Sequence, residues 1–387
     1  MKARLFVVTA LLAALTTAAG LLPPPAGAAE ARTPILAYYY QWFERSSWQR
    51  AKTDYPRLGP YSSDDASVVR THIAWARSAG IDGFVVSWKS GEVNNRRLEL
   101  LLAEARRQDF KVAVIYQGLD FHRRPLSPAR IAADFRLLRD RYARDPAFFR
   151  LGGKPLTVLS GTWEFSTAEV ARITAPVRGR MLVLGTEKNP EGCRRLAGVT
   201  DGDAYYWSSV NPATNDRHET KLREMAEAAH ASGGYWMAPF APGFDARLVG
   251  GTKVVPRAGG GTLRAEYAAA VASRPDVLGL ISWNEFSENS HVEPSQAHGT
   301  RALDQLRELR GLSASQRASV APSASAGTGS SARREPPGVW PGLLRLAGAV
   351  VLLVGGVGWL SRTRRARSAR ETRGARRTGT TGKERAT

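Results

Sequence analysis

A regular alternation of short apolar segments with longer amphipathic segments, between residues 30 and 312, constrains the fold most strongly. The short segments have strand length, and the longer ones repeat apolar residues at helical spacing. Strand candidates occur at residues 35–40, 83–88, 111–116, 155–159, 181–185, 204–207, 235–238 and 277–282. Helical spacing is clearest at residues 65–79, 98–108, 128–144, 220–232, 265–273 and 302–309. Eight such pairs predict an α/β fold with a single (β/α)8 TIM barrel, in preference to an open doubly wound sheet.

The first 29 residues have the pattern of a secretory signal peptide. Lys2 and Arg4 precede an apolar run, which ends near the small residues Ala26-Gly27-Ala28. The alternative is that the run stays uncleaved as a membrane anchor. An exported domain with Cys193 as its single cysteine has no intramolecular disulfide, so its stability must come from an apolar core.

The C-terminal part predicts a tether to a membrane. Residues 313–338 are rich in Ser, Ala and Pro, which indicates a linker, and residues 339–360 are apolar enough to form a transmembrane helix. Arg345 lies near one end of this segment and leaves a peripheral amphipathic helix as the alternative. Residues 361–387 are Arg-rich, so the positive-inside rule predicts a cytoplasmic tail and an extracellular barrel on a single-pass protein. The Ala-, Arg- and Gly-rich composition indicates a bacterial source, and thus a bacterial cell surface.

The basic C-terminal tail accounts for much of the formal net charge of +20. Its arginines directly after the apolar segment are Arg362, Arg364, Arg365, Arg367, Arg370, Arg373, Arg376 and Arg377. No nucleic-acid-binding motif accompanies the charge, so no nucleic-acid partner is predicted. The tail instead predicts contact with the anionic headgroups of a lipid bilayer.

The last strand candidate leads into residues 281–294, with the sequence ISWNEFSENSHVEP. This stretch contains Glu285, Glu288 and Glu293 beside aromatic residues. Active sites of (β/α)8 barrels lie at the C-terminal ends of the strands, and burial of carboxylates is costly unless they are paired or protonated. The stretch therefore predicts a catalytic loop, with a solvated acidic surface loop as the alternative.

Aromatic and polar residues also gather where other predicted strands end. Rings with polar groups around carboxylates suit sugars, whose C–H faces stack on rings while their hydroxyls need hydrogen-bond partners. We therefore predict a polysaccharide or oligosaccharide substrate. No Gly-rich dinucleotide or phosphate fingerprint is present, and no cofactor is predicted. Predicted substrate-binding residues are Tyr39, Tyr40, Trp42, Trp88, Gln117, Tyr206, Trp283, Asn284, His291 and Glu293. Core packing is the alternative for each aromatic residue among them.

Five motifs, in order along the chain, resemble those of glycoside hydrolase family 99, the endo-α-1,2-mannosidase family, or a close family 71/99-like relative. They are YYYQWF at 38–43, GPYSSD at 59–64, AGIDGFVVSW at 79–88, APGFD at 241–245 and WNEFSENSHVEP at 283–294. The resemblance extends from about residue 35 to about residue 309. The chain departs from the family pattern at Phe286 and Lys89, where the family usually has Trp.

The resemblance implies a metal-independent, retaining hydrolase that cuts within α-mannoside chains. Glu285 matches the family's base, which acts on the substrate's own 2-hydroxyl so that a 1,2-anhydro sugar forms. Glu288 matches the acid that protonates the leaving oxygen and later activates water. Two acids three residues apart project to one side of a helical turn, and their mutual repulsion raises one pKa.

Two other hypotheses stay open from the sequence alone. The first is an ordinary two-carboxylate glycosidase acting on another polysaccharide, in which Glu187 or Asp120 faces Glu285 across the pocket. The second is a non-catalytic cell-surface protein that binds glycans. The presence of both Glu285 and Glu288 argues against the second hypothesis, because binding alone does not require a proton donor.

Overall fold

A computed structural model describes residues 32–312 of the 387-residue chain. Its strands are β1 (Ile35–Tyr39), β2 (Gly83–Trp88), β3 (Lys111–Gln117), β4 (Arg150–Leu151), β5 (Lys154–Ser160), β6 (Leu182–Leu184), β7 (Gly202–Ala204), β8 (Tyr235–Phe240), β9 (Phe244–Asp245), β10 (Val254–Val255) and β11 (Val277–Leu280). Its α-helices are α1 (Ala66–Ser78), α2 (Glu92–Arg107), α3 (Pro128–Leu137), α4 (Thr167–Thr174), α5 (Pro190–Arg195), α6 (His218–His230), α7 (Gly261–Ala272) and α8 (Arg301–Leu309).

Eight of the strands close into a parallel barrel in the order β1, β2, β3, β5, β6, β7, β8 and β11, with β11 paired to β1. Between β6 and β7 the barrel closes through Gly185, whose N–H donates to the carbonyl of Gly202 at 3.0 Å. The carbonyl of Gly185 accepts from the N–H of Ala204 at 2.8 Å. The two remaining pairings are antiparallel, β4 with β5 and β9 with β10. The predicted (β/α)8 barrel is confirmed.

Side-chain alternation along each strand divides the core into two layers. Leu36 and Tyr38 of β1 belong to the cluster inside the barrel, whereas Ala37 and Tyr39 belong to the larger cluster between the strands and the helices. Successive side chains of a strand point to opposite faces, so one residue of shift moves a ring from the inside to the outside. The C-terminal ends of the strands form the mouth of the barrel. Alternation therefore decides which residues at the strand ends face this mouth.

The sequence explains where the first helix starts and stops. Asp65 caps α1 by accepting the N–H of Ser67 at 2.9 Å, and Gly80 follows the helix with a φ of +75°. Val69, Ile73 and Ala76 lie three or four residues apart and are all buried against the barrel. The N-cap, the apolar stripe and a glycine in the left-handed region of φ together define the helix. Its bounds are therefore close to the predicted range, 65–79.

Several boundaries differ from the predictions. Helix α2 begins at Glu92, whereas the predicted helix began at residue 98. The prediction missed the first turn because that turn is largely polar and lacks the apolar spacing that indicates a helix. Strand β7 ends at Ala204, so Tyr205 and Tyr206 lie beyond the strand predicted to contain them. The predicted helix at 128–144 is α3 followed by a π-helical turn, Leu138–Tyr142.

The predicted signal peptide (1–29), linker (313–338), transmembrane helix (339–360) and tail (361–387) lie outside the described residues and stay predictions. Within residues 32–312, no helix combines the length and the apolar character needed to span a bilayer.

Candidate active site

The loop that follows β11, residues 281–294, is closed by its own hydrogen bonds, and we call it the β11 loop. It starts with a cis peptide bond between Ile281 and Ser282. The N–H of Ser282 donates to the carbonyl of Ser290 at 2.8 Å, and the N–H of Val292 donates back to the carbonyl of Ser282 at 3.0 Å. The hydroxyl of Ser282 also accepts the N–H of Glu285 at 2.9 Å. These bonds fix the backbone that carries the two candidate catalytic acids.

Strands β1 and β9, with Tyr40 directly after β1, hold the β11 loop in place. The Asn284 side chain accepts the N–H of Tyr40 at 2.8 Å and donates to the carbonyl of Tyr40 at 3.0 Å. The N–H of Trp283 donates to the carbonyl of Tyr38 at 2.7 Å, and the N–H of Asp245 donates to the carbonyl of Glu288 at 2.7 Å. Asn284 therefore holds the backbone of Tyr40, and its contact with substrate stays a prediction.

Glu285 and Glu288 are buried, with 1% and 6% of their surfaces exposed. Burial raises the pKa of Glu285 to about 7, and burial together with the negative charge of Glu285 raises the pKa of Glu288 well above its usual range. Oε2 of Glu285 and Oε1 of Glu288 are buried and have no hydrogen-bond partner among the described residues. One oxygen of each carboxyl is thus buried without a partner among residues 32–312, which is typical of a polar functional site.

The surroundings of the two carboxyls differ in a way that separates their roles. The N–H of Ser287 donates to Oε1 of Glu285 at 3.0 Å, and the charge of Lys52 also lowers the pKa of Glu285. The negative charge of Glu285 raises the pKa of Glu288, and the positive charge of Arg123 lowers it. Glu285 is therefore the first of the pair to ionise, and Glu288 is the one that keeps its proton.

Two tyrosines stand beside the glutamates. Tyr40, directly after β1, and Tyr206, after β7, are hydrogen-bonded through their hydroxyls, and both interact electrostatically with Glu285 and Glu288. Burial raises the pKa of each phenol, so both keep their protons at neutral pH. Trp42 stacks on Tyr40 with ring centroids 4.3 Å apart and is half-buried. These three predicted residues lie together with the glutamates or next to them.

Gln117, another predicted residue, ends β3 and is half-buried. Its Nε2 donates to the hydroxyl of Ser87 on the adjacent strand β2 at 3.2 Å. The neighbouring Ile115 belongs to the cluster inside the barrel, and alternation therefore places Gln117 on the inner face as well. It contributes a polar group at the end of the inner core.

Glu293 lies on the opposite side of the β11 loop, against α1. It accepts the hydroxyl of Tyr61 at 2.9 Å, and its Oε1 lies 3.2 Å from Nε2 of His72. Nδ1 of His72 in turn lies 3.2 Å from the hydroxyl of Tyr39. Glu293 and Tyr39, both predicted to contact substrate, are buried in this chain of polar contacts and brace the loop.

Trp88 and Trp283 also lie in the layer between strands and helices. Trp88 donates its indole N–H to Asn95 of α2 at 3.0 Å, and Trp283 packs against Phe84. Both indoles are almost completely buried. Strand alternation directs the rings of Tyr39 and Trp88 outward from the barrel, and Trp283 belongs to the same cluster between strands and helices. Contact of these three residues with substrate stays a prediction, and their positions favour the core-packing alternative.

His291 belongs to a group with Asp54 and His298 whose ligand atoms lie within 4.8 Å of one another. Nε2 of His291 lies 3.3 Å from Asp54, and the guanidinium of Arg257 donates to the carbonyl of His291 at 2.6 Å. Burial lowers the pKa of His291 to about 3, so the imidazole is neutral. Oδ1 of Asp54 already accepts two backbone N–H groups, and the charge of Arg257 opposes a second cation. We interpret the group as a polar brace.

Comparison with known proteins identifies the family. A sequence model of Glycosyl hydrolase family 99 matches residues 45–310, more than half of the chain. The chain belongs to this family. It is 24% identical to the glycoprotein endo-alpha-1,2-mannosidase of Rattus norvegicus over 65% of this chain and 59% of that protein. It is 25% identical to the Xenopus laevis protein of the same description, over 62% of this chain and 58% of that protein.

The chain thus spans about 59% of the length of the curated relatives that it matches. A solved structure of the family 99 endo-alpha-mannosidase of Bacteroides thetaiotaomicron superimposes with a TM-score of 0.62 and 24% identity. The superposition covers 72% of this chain and 98% of that chain. At this identity the likeness shows that the fold is shared.

Both carboxylates of the alternative two-carboxylate hypothesis form ion pairs with arginines. Glu187 pairs with Arg195 at 2.8 Å. Asp120 accepts backbone N–H groups of its own turn and pairs with Arg124 at 2.9 Å. Both carboxylates are committed to contacts that stabilise their loops.

Three residues of the site or its support were not predicted from the sequence. Lys52 and Arg123 supply the positive charges that act on Glu285 and Glu288, and Tyr61 links Glu293 to Asn284, whose Nδ2 lies 3.3 Å from the phenol oxygen. Lys52 and Arg123 lie in irregular loops that show no periodic pattern. Tyr61 lies within the GPYSSD motif, which was the available signal for it.

Proposed function

We propose that this protein is a retaining glycoside hydrolase that cleaves α-mannoside chains internally without a metal ion. The observation that carries the proposal is the pair of buried glutamates, Glu285 and Glu288, each with one oxygen that no described residue satisfies. Their unequal electrostatic surroundings favour one anion and one acid at neutral pH. Membership of family 99 supports the same assignment.

In the proposed first step the carboxylate of Glu285 removes the proton of the substrate's 2-hydroxyl. The resulting oxygen attacks the anomeric carbon and forms a 1,2-anhydro sugar. The bond to the leaving sugar breaks, and its oxygen takes the proton of Glu288. The acid role suits Glu288, because burial and the charge of Glu285 keep its proton bound.

In the second step the ionised Glu288 removes a proton from water, which attacks the anomeric carbon. The three-membered ring opens, and Glu285 returns its proton to the 2-oxygen. Two inversions at one carbon give net retention. The hydroxyls of Tyr40 and Tyr206, which interact electrostatically with both acids, are placed to donate to sugar oxygens, and Trp42 offers a ring for stacking.

A direct test uses the purified protein with α-mannan and α-linked manno-oligosaccharides. We expect internal cleavage, with the first-formed product keeping the anomeric configuration in proton NMR, and loss of turnover in Glu288→Gln. The two-carboxylate alternative predicts a stable covalent adduct with a 2-deoxy-2-fluoro mannosyl fluoride, visible as a mass increase. Such an adduct would refute the proposal. The proposal would also fail if the wild-type protein turned over none of the substrates and a glycan bound equally well to it and to Glu288→Gln.

We also propose that the barrel acts outside the cell on a membrane tether. The sequence patterns of residues 1–29 and 339–387 support this placement. Treatment of intact cells with a protease should remove the barrel and leave a tag at the C-terminus protected. Digestion of the tag with the barrel intact would contradict the orientation.

A further inference from the structure

Three cations and two aromatic rings line consecutive strand ends on one side of the barrel mouth. Lys89 follows β2, Phe121 and Arg123 lie in the loop after β3, Trp163 follows β5, and Lys188 follows β6. These strands are neighbours in the barrel, and all run parallel, so their following loops adjoin at the mouth. We call this set of five residues the cationic arc.

Contacts within the arc place the charges against the rings. Nζ of Lys89 donates to the carbonyl of Leu119 at 2.8 Å and lies 5.9 Å from the centroid of the Phe121 ring. Nζ of Lys188 lies 4.4 Å from the centroid of the Trp163 ring. Phe121 is 65% exposed, which is a high value for a phenylalanine. The arc therefore presents charge and an exposed ring on one surface.

The cations of the arc lack acidic partners among residues 32–312. The charge of Asp120 raises the pKa of Lys89, but Asp120 forms its ion pair with Arg124. The charge of Glu187 likewise raises the pKa of Lys188, but Glu187 forms its ion pair with Arg195. Glu164 is exposed and acts on Arg123 and Lys188 without forming an ion pair with either.

The three cations are also half-buried. Loss of water lowers the pKa of Lys89, Arg123 and Lys188, so the protein bears an unfavourable desolvation energy there. A bound anion would offset this energy.

The arc and the β11 loop both follow the C-terminal ends of barrel strands, so they lie at the same mouth, and the charge of Arg123 acts on Glu288. We propose that the cationic arc binds an anionic substituent, a phosphate or a carboxylate, carried by the glycan on a sugar near the cleavage site. A guanidinium and ammonium groups bind such oxygens through charge-assisted hydrogen bonds, and the rings accept the C–H faces of the same sugar. This inference rests on the proposed function and specifies its substrate class.

The test compares anionic with neutral substrates of equal length. Three sets of α-manno-oligosaccharides are used: unmodified, 6-phosphorylated, and with one sugar replaced by a hexuronic acid. The full-length protein is compared with the double variant Lys89→Gln/Lys188→Gln. Arg123 of the arc is left unchanged, because Lys52 and Arg123 are the cations that affect the pKa values of the two glutamates. Lys154→Gln, at the exposed start of β5 and thus at the far end of the barrel, is the matched control.

We expect the wild-type protein to favour at least one anionic set over the neutral set by about tenfold in kcat/KM. This ratio should fall about tenfold in the double variant and stay unchanged in Lys154→Gln. The phosphorylated and hexuronic sets show which anion the arc prefers. Equal kcat/KM for neutral and anionic sets, or a preference that survives the double substitution, would overturn the inference while leaving the glycosidase function intact.

Binding gives a second measurement that does not depend on turnover. Calorimetric titration of Glu288→Gln with the same oligosaccharides should give tighter Kd values for an anionic set, and addition of Lys89→Gln/Lys188→Gln should abolish the difference. Absence of turnover on every set would count against the proposed function, and equal Kd values for all sets would count against the arc. The two failures are therefore distinguishable.

Discussion

The side-chain amide of Asn284 bonds both backbone groups of Tyr40, at 2.8 Å to the N–H and 3.0 Å to the carbonyl. Asn284 immediately precedes Glu285, and the hydroxyl of Tyr40 is hydrogen-bonded to that of Tyr206 beside both glutamates. One amide thus connects the last barrel strand to the first and sets the position of a phenol relative to the proposed base.

We predict that Asn284→Ala lowers stability and turnover together. Both backbone groups of Tyr40 would be left without their partner in a buried position, which costs about 1–3 kcal/mol for each group. Tyr40 and Glu285 would lose their fixed relationship, so kcat should fall by at least about tenfold. Thermal unfolding and steady-state kinetics measure the two effects.

Asn284→Asp is the matched variant, because it keeps the acceptor for the N–H of Tyr40 and loses the donor to the carbonyl. It should lie between the wild type and Asn284→Ala in Tm. A variant with unchanged Tm and a strongly raised KM would show instead that Asn284 contacts the sugar.

We predict that Lys52 sets the acidic limb of the pH–rate profile. The proposed base must be ionised, and burial raises the pKa of Glu285 to about 7 while Lys52 limits that rise. Removal of the positive charge in Lys52→Met should raise this pKa and move the acidic limb of kcat/KM to higher pH, by up to about one unit. Profiles of kcat/KM against pH measure the shift.

Lys52→Arg keeps the charge and should leave the limb nearly in place. An acidic limb that moves to lower pH in Lys52→Met, or does not move, would contradict the electrostatic role of Lys52.

We predict that Glu288→Gln is more stable than the wild type, and increasingly so as pH rises. The folded-state pKa of Glu288 lies above its unfolded value near 4.5, so its favourable contribution is complete below that value and is lost as pH rises toward the folded pKa. A neutral amide does not undergo this loss. Tm should exceed that of the wild type by roughly 2–8 °C at about pH 9, corresponding to about 1–3 kcal/mol.

The same comparison at about pH 5 is the control, since the difference in Tm between the two proteins should shrink there. A constant difference at all pH values would indicate a packing effect rather than ionisation of Glu288. The raised pKa of Glu288 would be contradicted if the Tm of the variant, measured relative to that of the wild type, fell as the pH rose.

The barrel and the β11 loop were predictable because they depend on local patterns. Apolar runs of strand length alternate eight times, and the WNEFSE segment carries both acids within one short stretch. The orientation of single rings was not predictable from residue type alone. Tyr39 and Tyr40 are adjacent and chemically identical, yet Tyr39 contacts His72 outside the barrel and Tyr40 contacts Tyr206 at the mouth.

Strict alternation along β1 would have separated these two tyrosines, given that Leu36 faces inward. No comparable rule was available for Lys52 or Arg123. They reach the glutamates from irregular loops that lie far from the β11 loop in sequence, and only the closed barrel brings those loops together.

We predict that Trp42 and Trp88 respond in opposite ways to truncation, because one lies at the mouth and the other in the core. Trp42 is half-buried and stacks on Tyr40, whereas Trp88 is 1% exposed and bonded to Asn95. Trp42→Ala should raise KM for manno-oligosaccharides about tenfold with little change in Tm, through the loss of a stacking surface. Trp88→Ala should cost about 3–5 kcal/mol in stability, while the folded fraction keeps a KM near that of the wild type.

Trp42→Phe and Trp88→Phe are the matched variants, since each keeps a ring and should lose less than its alanine counterpart. Tm from thermal unfolding, and KM corrected for the folded fraction, separate the two positions. An unchanged Tm in Trp88→Ala combined with a raised KM would place Trp88 against the sugar, because a core indole cannot be removed without leaving a cavity.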